Sequence, residues 1–430
     1  DMNKLSSVNG KRGDLSLVDS LYADSKASFK QEYPNYGQNL DSAGIAKIQL
    51  ADMVGVEYQD LAGASAESKQ KWEDFMDQLT WEDTVKLLSN GLRRTLEINS
   101  IGKPYTNDVN ASNGISWMFD MSKEGGSGTS NVGFASHFDT LNRLQNPTGY
   151  PCEGIIASSF NKDLAYAVGQ AIGEDGLWSG ASGLYGFGLG LHRNAYHGRA
   201  GEYYSEDSYL SGVMGGYESK GAQSKGLYVY NKHFVLNDQE TSRTSYNTWL
   251  TEQTMRETYI RPFEIAIEIG DAMNVMSAFN HVGSVWSGSD YNLMTLCLRN
   301  ELGMRGFAVT DYFPSGGMSM SYGVMAGTDL PDGAESSSNI SKFGPESGNY
   351  GYYAQACRQA AQRILYTVAN SNAMNFIGVD TKVISYEPEW HKTRDGILIS
   401  VYSLFGISCA FFVGTNAYYL VQKFSKKKEN

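Results

Sequence analysis

The sequence predicts an α/β protein: a TIM-like (β/α)8 barrel, regular or irregular, followed by one C-terminal transmembrane helix. Three observations carry this. Short apolar, β-type runs alternate with helix-like stretches over about 300 residues, a pattern that calls for a parallel sheet covered by helices and a length that suits a barrel. Polar or charged residues (His192, Arg193, Lys232, His233, Asn280, Asp311 and Asp329) end several of the apolar runs, where a barrel enzyme keeps its reacting groups. From Gly396 to Val421 there is no charged residue, and that stretch exceeds the roughly 20 residues needed to cross a bilayer. An open doubly wound sheet is the alternative, but no GxGxxG follows a strand-like run, so a dinucleotide fold has no support.

Taken in order, residues 1–70 are polar and weakly periodic, and read as a linker or the tail of a preceding domain. The segment 65–91 reads as helix, with Phe75, Met76, Leu79, Val85 and Leu88 on one stripe and Gly91 as its stop. A barrel domain is expected over 71–370. Its strand candidates are 154–160 (GIIASSF), 184–191, 226–237, 274–282, 306–313 (GFAVTDYF) and 322–331 (YGVMAGTDLP). Helix candidates begin at Asn161, Ser208, Thr251, Asp290 and Asn349. A linker follows at 371–395, then the transmembrane helix at 396–422 and a basic tail at 423–430.

Tyr418 and Tyr419 sit where interfacial aromatics do, and Lys423, Lys426, Lys427 and Lys428 follow. By the positive-inside rule the tail is cytoplasmic and the barrel extracellular, in a single-pass protein of the cell membrane. Export needs a signal, and none is visible at Asp1, so a piece upstream of Asp1 is expected.

The net charge of −12 excludes a nucleic-acid partner, because phosphate contacts need a basic footprint. Four cysteines form no CxxC pair and six histidines form no HExxH, so no metal or other cofactor is expected. The 28 tyrosines outnumber the 18 phenylalanines, which fits a polar cleft or an ordinary core equally.

Four stretches are specific together: GLHRNAYHGRAGEYYSEDSYLSG (190–212), KHFVLNDQETSR (232–243), VMSAFNHVGSVW (275–286) with LRNELGMRGFAVTDYF (298–313), and MAGTDLP (325–331). In order and spacing they resemble the barrel domain of family 3 glycoside hydrolases, from about Trp72 to Leu365. The resemblance implies an exo-acting retaining β-glycosidase, β-glucosidase-like, working on terminal non-reducing sugars of an oligosaccharide or β-glycoside. Asp311 matches the nucleophile that forms the glycosyl-enzyme ester. Arg199, Lys232, His233 and Arg243 match sugar-binding positions, and Tyr312 replaces the usual tryptophan wall.

The pattern breaks in two places. The family's TDGP loop reads TNDVNASNGIS here, with Asn110 at the aspartate position and Asp108 as a substitute if the loop is re-registered. Phe279 stands where a tyrosine is usual. The acid/base is also unplaced. In most members it comes from an α/β-sandwich domain, which the inverted domain order would put upstream of Asp1. A catalytically impaired, membrane-anchored glycan-binding or scaffold relative is the alternative reading.

Overall fold

The computed structural model describes residues 64–110, 113–115, 148–313, 317–335, 351–383 and 389–426, with 33, 35–37, 40, 44–58, 337 and 340. The chain divides into two compact units, one holding the barrel and the other the C-terminal helix.

The barrel unit is built on seven strands: β1 (Arg94–Thr95), β2 (Thr106–Asn110), β3 (Gly183–Tyr185), β4 (Tyr228–Phe234), β6 (Asn274–Ser277), β9 (Ala308–Tyr312) and β10 (Leu330–Asp332). Three short strands, β5 (Asn247–Thr248), β7 (His281–Val282) and β8 (Val285–Trp286), make a separate small sheet. Among the described residues the main sheet has six parallel strands where the sequence suggests eight. β1 runs antiparallel to β2, since the ten residues between Thr95 and Thr106 leave no room for a helical crossover. The sheet curls until its ends meet: the Gly91 N–H donates to the Gly333 carbonyl at 3.1 Å, and Asn90 bridges Ala334.

Strand alternation sorts the core into two layers. Val109, Leu184, Val229, Val275 and Ala308 pack with Ile172, Met214 and Phe263 of the helices α4 (Lys162–Ser179), α5 (Ser208–Gln223) and α6 (Arg261–Gly270). The other set, Tyr185, Tyr228, Tyr230, Met276, Val309 and Leu330, joins a second core with α1 (Ala66–Met76), α2 (Trp81–Ser89) and α8 (Gly351–Ala369). Leu50 and Met53 are buried in that same core, so it begins earlier than the polarity of the first 70 residues implies.

Several local expectations are corrected. The helix read over 65–91 is two, because Thr80 Oγ1 accepts the Asp83 N–H at 3.1 Å and starts a new N-terminus. GIIASSF is helix α3 (Glu153–Ser158), which buries Ile156 and Ala157. The first half of 322–331 is helix α7 (Met320–Ala326). Asp329 precedes β10 and so lies at its opposite end from the tips. It pairs with Arg299 at 2.6 Å and Arg363 at 3.0 Å, and accepts the Ala308 N–H at 2.8 Å.

In the second unit, helix α9 (Glu389–Lys426) contains the apolar run Gly396–Val421, of mean hydropathy 2.1. Its hydroxyls turn back onto their own helix: Ser400 donates to the Gly396 carbonyl, Ser403 to Ile399, Ser408 to Leu404 and Thr415 to Phe411, all within 2.9 Å.

Candidate active site

Asp311 is the fourth residue of β9, one place from its C-terminal tip. Its Oδ1 accepts the Tyr312 N–H at 2.8 Å. The buried Oδ2 accepts no hydrogen bond; it faces His233 Nε2 at 3.4 Å and Arg199 Nη1 at 3.8 Å. A buried carboxylate oxygen left without a partner costs roughly 1–3 kcal/mol, so the arrangement is a demanding one. Burial raises the Asp311 acid, and Arg199, the Tyr312 N–H, Arg243 and Lys232 work to lower it; the net direction is upward.

Lys232 and His233 come from the C-terminal part of β4, every residue of which is buried. Lys232 Nζ donates to the Tyr185 carbonyl at 2.9 Å and lies 3.4 Å from Glu202 Oε2. The Tyr203 hydroxyl meets His233 Nδ1 at 3.2 Å. A neutral imidazole accepting there carries its proton on Nε2, the nitrogen that faces Asp311. Burial, helped by the neighbouring cations Arg199 and Lys232, holds this histidine well below its ordinary pKa and keeps it neutral.

Arg199 sits just before the 3-10 turn Ala200–Glu202 and pairs tightly with Glu202 through Nε. Burial opposes ionisation of Glu202, but Lys232 and Arg199 outweigh it and hold the acid below its usual range. Arg243 pairs with Glu240 at 2.6 Å and lays its guanidinium 4.2 Å above the Phe279 ring. Phe279 is itself buried, so the ring supports the arginine from beneath. Tyr312 is exposed on the strand tip.

Thus Asp311, Arg199, Lys232, His233, Arg243 and Phe279 are linked by direct contacts or by charge interactions around Asp311. Asp108 does not join them. It is fully buried inside the barrel and accepts the hydroxyls of Tyr228 at 2.6 Å and Tyr230 at 2.7 Å, which leaves it no role as a sugar ligand. Asn110, at the end of β2, pairs in register with Tyr185; Ser112 and Ser116 of the altered loop lie outside the described residues. Of the other strand-tip residues, His192 bonds the Tyr203 carbonyl, Arg193 the Tyr259 hydroxyl and Asn280 the Val235 carbonyl, so each fixes a loop. Tyr203 and Glu202, both within the quoted GEYYSED stretch, also belong to this network. Among the described residues no cluster of three or more His, Cys, Asp or Glu side chains could hold a metal ion.

The model of the glycosyl hydrolase family 3 N-terminal domain matches residues 137–329. Over residues 137–329 the chain is similar to a family 3 glycosyl hydrolase N-terminal domain. It is 35% identical over 181 residues to a probable beta-glucosidase I of Aspergillus flavus, a match over 42% of this chain and 21% of that protein. It is 35% identical over 159 residues to a beta-glucosidase of Ruminococcus albus, covering 37% of this chain and 17% of that one. The matched segment therefore spans only about a fifth of the length of these curated relatives. The solved structure of beta-glucosidase 3B from Thermotoga neapolitana with α-D-glucose superposes with a TM-score of 0.61 at 26% identity, over 73% of this chain and 44% of that one. A Paenibacillus barengoltzii beta-glucosidase gives 0.62 at 23% identity, over 84% of this chain and 38% of that one, and supports the TIM-like fold.

Proposed function

We propose that this family 3 domain is the barrel half of a retaining, exo-acting β-glycosidase, β-glucosidase-like in substrate class. The observation that carries the reading is the buried, unbonded Oδ2 of Asp311 at a strand tip, ringed by donors. In the first step a carboxylate oxygen of Asp311 bonds to the anomeric carbon while the glycosidic C–O bond breaks and the leaving oxygen takes the electron pair. Arg199, Lys232 and Arg243 offer charged donors to vicinal hydroxyls and hold the ring for in-line attack. The second carboxyl group, which protonates the leaving group and later activates water, is supplied by an upstream α/β-sandwich domain or chain. The apolar Gly396–Val421 run anchors the protein in the cell membrane as a single pass, with the barrel outside; its back-bonded hydroxyls suit a lipid-facing helix.

A second reading, a catalytically impaired glycan-binding or scaffold relative, is favoured by Asn110 at the loop position and by Asp108 being taken up by two tyrosines. Incubation of the full-length protein with aryl β-glucosides and β-xylosides, beside Asp311→Asn, separates the two. Turnover that disappears in the variant supports the enzyme. Glycan binding with no turnover of any substrate supports the second reading.

A further inference from the structure

Resting on the assignment of Asp311 as nucleophile, we infer that Glu202 is a positioning residue of the sugar pocket. Its carboxylate holds Lys232 and Arg199 in place for the sugar hydroxyls, and its negative charge moderates their pull on Asp311.

One carboxylate joins two cations from different parts of the fold. Glu202 takes the Arg199 Nε–H within its own turn and lies 3.4 Å from Lys232 Nζ on β4. Lys232 Nζ also donates to a backbone carbonyl, that of Tyr185, and Glu202 is the carboxylate that aims the ammonium. Arg199 keeps its Nη1 toward Asp311 at 3.8 Å while Nε is occupied by Glu202. A planar guanidinium fixed at one edge is fixed at the other.

The backbone is built to bring these groups together. Gly188 bridges both Tyr203 and Lys232, and the neighbouring amides complete the stitch: the Leu189 N–H donates to the Lys232 carbonyl at 2.6 Å, and the Lys232 N–H to the Phe187 carbonyl at 3.0 Å. A Cβ at Gly188 would collide with the Glu202 carbonyl oxygen. Only glycine there lets the Glu202 turn lie against the strand that carries Lys232.

Charge accounting gives the inference a signature that packing alone would not. Asp311 feels Arg199, Lys232 and Arg243 as cations, Asp332 as an anion, and the neutral His233 and Tyr312 N–H as hydrogen-bond donors or near-donors. Glu202 faces Arg199, Lys232, Tyr203 and the buried Glu153. Neutralising Glu202 leaves two cations uncompensated beside Asp311, which favours the Asp311 carboxylate and lowers its acid. At the same time the two cations lose their shared anchor.

The test is labelling of Asp311 in this chain by 2,4-dinitrophenyl 2-deoxy-2-fluoro-β-glucoside and its xyloside counterpart, followed by intact mass and by dinitrophenolate release. Dinitrophenolate departs with the bonding electron pair and needs no proton, so this step requires no general acid. Glu202→Gln is expected to raise the half-saturating concentration ~10-fold or more, the scale of a lost charge-assisted hydrogen bond, and to move the acidic limb of the labelling rate to lower pH. Glu202→Asp should recover part of both. An unchanged half-saturation and limb overturns the inference, as does a loss that follows a fallen melting temperature with no movement of the limb. A wild-type chain that is never labelled overturns the nucleophile assignment itself, and this inference with it.

Discussion

Asp108 and Asp311 are both buried carboxyl groups on strands of one barrel, and their surroundings could hardly differ more. Asp108, in the middle of β2, has two tyrosine hydroxyls donating to its two oxygens. Asp311, near the tip of β9, has one oxygen held by a backbone N–H and the other accepting nothing. Burial raises both acids, to about 6 in the case of Asp108. The difference teaches where the fold stores stability and where it keeps reactivity. A carboxyl whose oxygens are all bonded is part of the frame, whereas one left short is available for a bond that substrate can complete.

The comparison can be broken or sharpened by substitution. The largest effect is expected from Asp311→Asn, which removes the proposed nucleophile and should cut glycosidase turnover at least ~10³-fold with little change in melting temperature, measured by initial rates and calorimetry. Next comes Arg363→Met. It strips one partner from the buried Asp329 and should cost about 3–5 kcal/mol of stability in denaturant unfolding, with no particular effect on sugar affinity in what remains folded. Smallest is Asp108→Asn, which keeps the shape but loses one good acceptor, about 1 kcal/mol.

The last variant also carries a pH signature. The Asp108 acid is raised in the folded state, so its contribution is fully present below the ordinary carboxylate range and is lost as pH rises toward about 6. The stability advantage of wild type over Asp108→Asn should therefore shrink between about pH 4 and 6. A gap that stays constant across this window would mean that burial does not raise the Asp108 acid in the folded protein.

Much of this was legible in the sequence. The strand–helix alternation gave the curled parallel sheet, and the runs around Lys232, Arg199, Arg243 and Asp311 named groups that the fold does assemble. What could not be read is equally physical. Asp108 and Asn110 share a strand face by period two, but which of them serves the frame depends on Tyr228 and Tyr230, 120 and 122 residues away in sequence. GIIASSF is too short for periodicity to separate helix from strand. Glu202 was visible in its motif, yet its second partner, Lys232, lies on β4, 30 residues further along, and becomes a neighbour only through the close approach at Gly188. Reading 65–91 as one helix overlooked that Thr80 caps the residues after it.

The seam where the sheet closes has a kinetic meaning. The Arg93 N–H donates to Asp332 Oδ1 across 239 residues of sequence, and Gly91 meets Gly333 beside it. Contacts of such separation are the last to be rewarded during folding, because a long loop must close first. Until β10 has left the ribosome, β1 and β9 stand as open edges able to pair with another chain. The stretch that finishes the barrel is thus also the stretch whose delay would expose the nascent protein to aggregation.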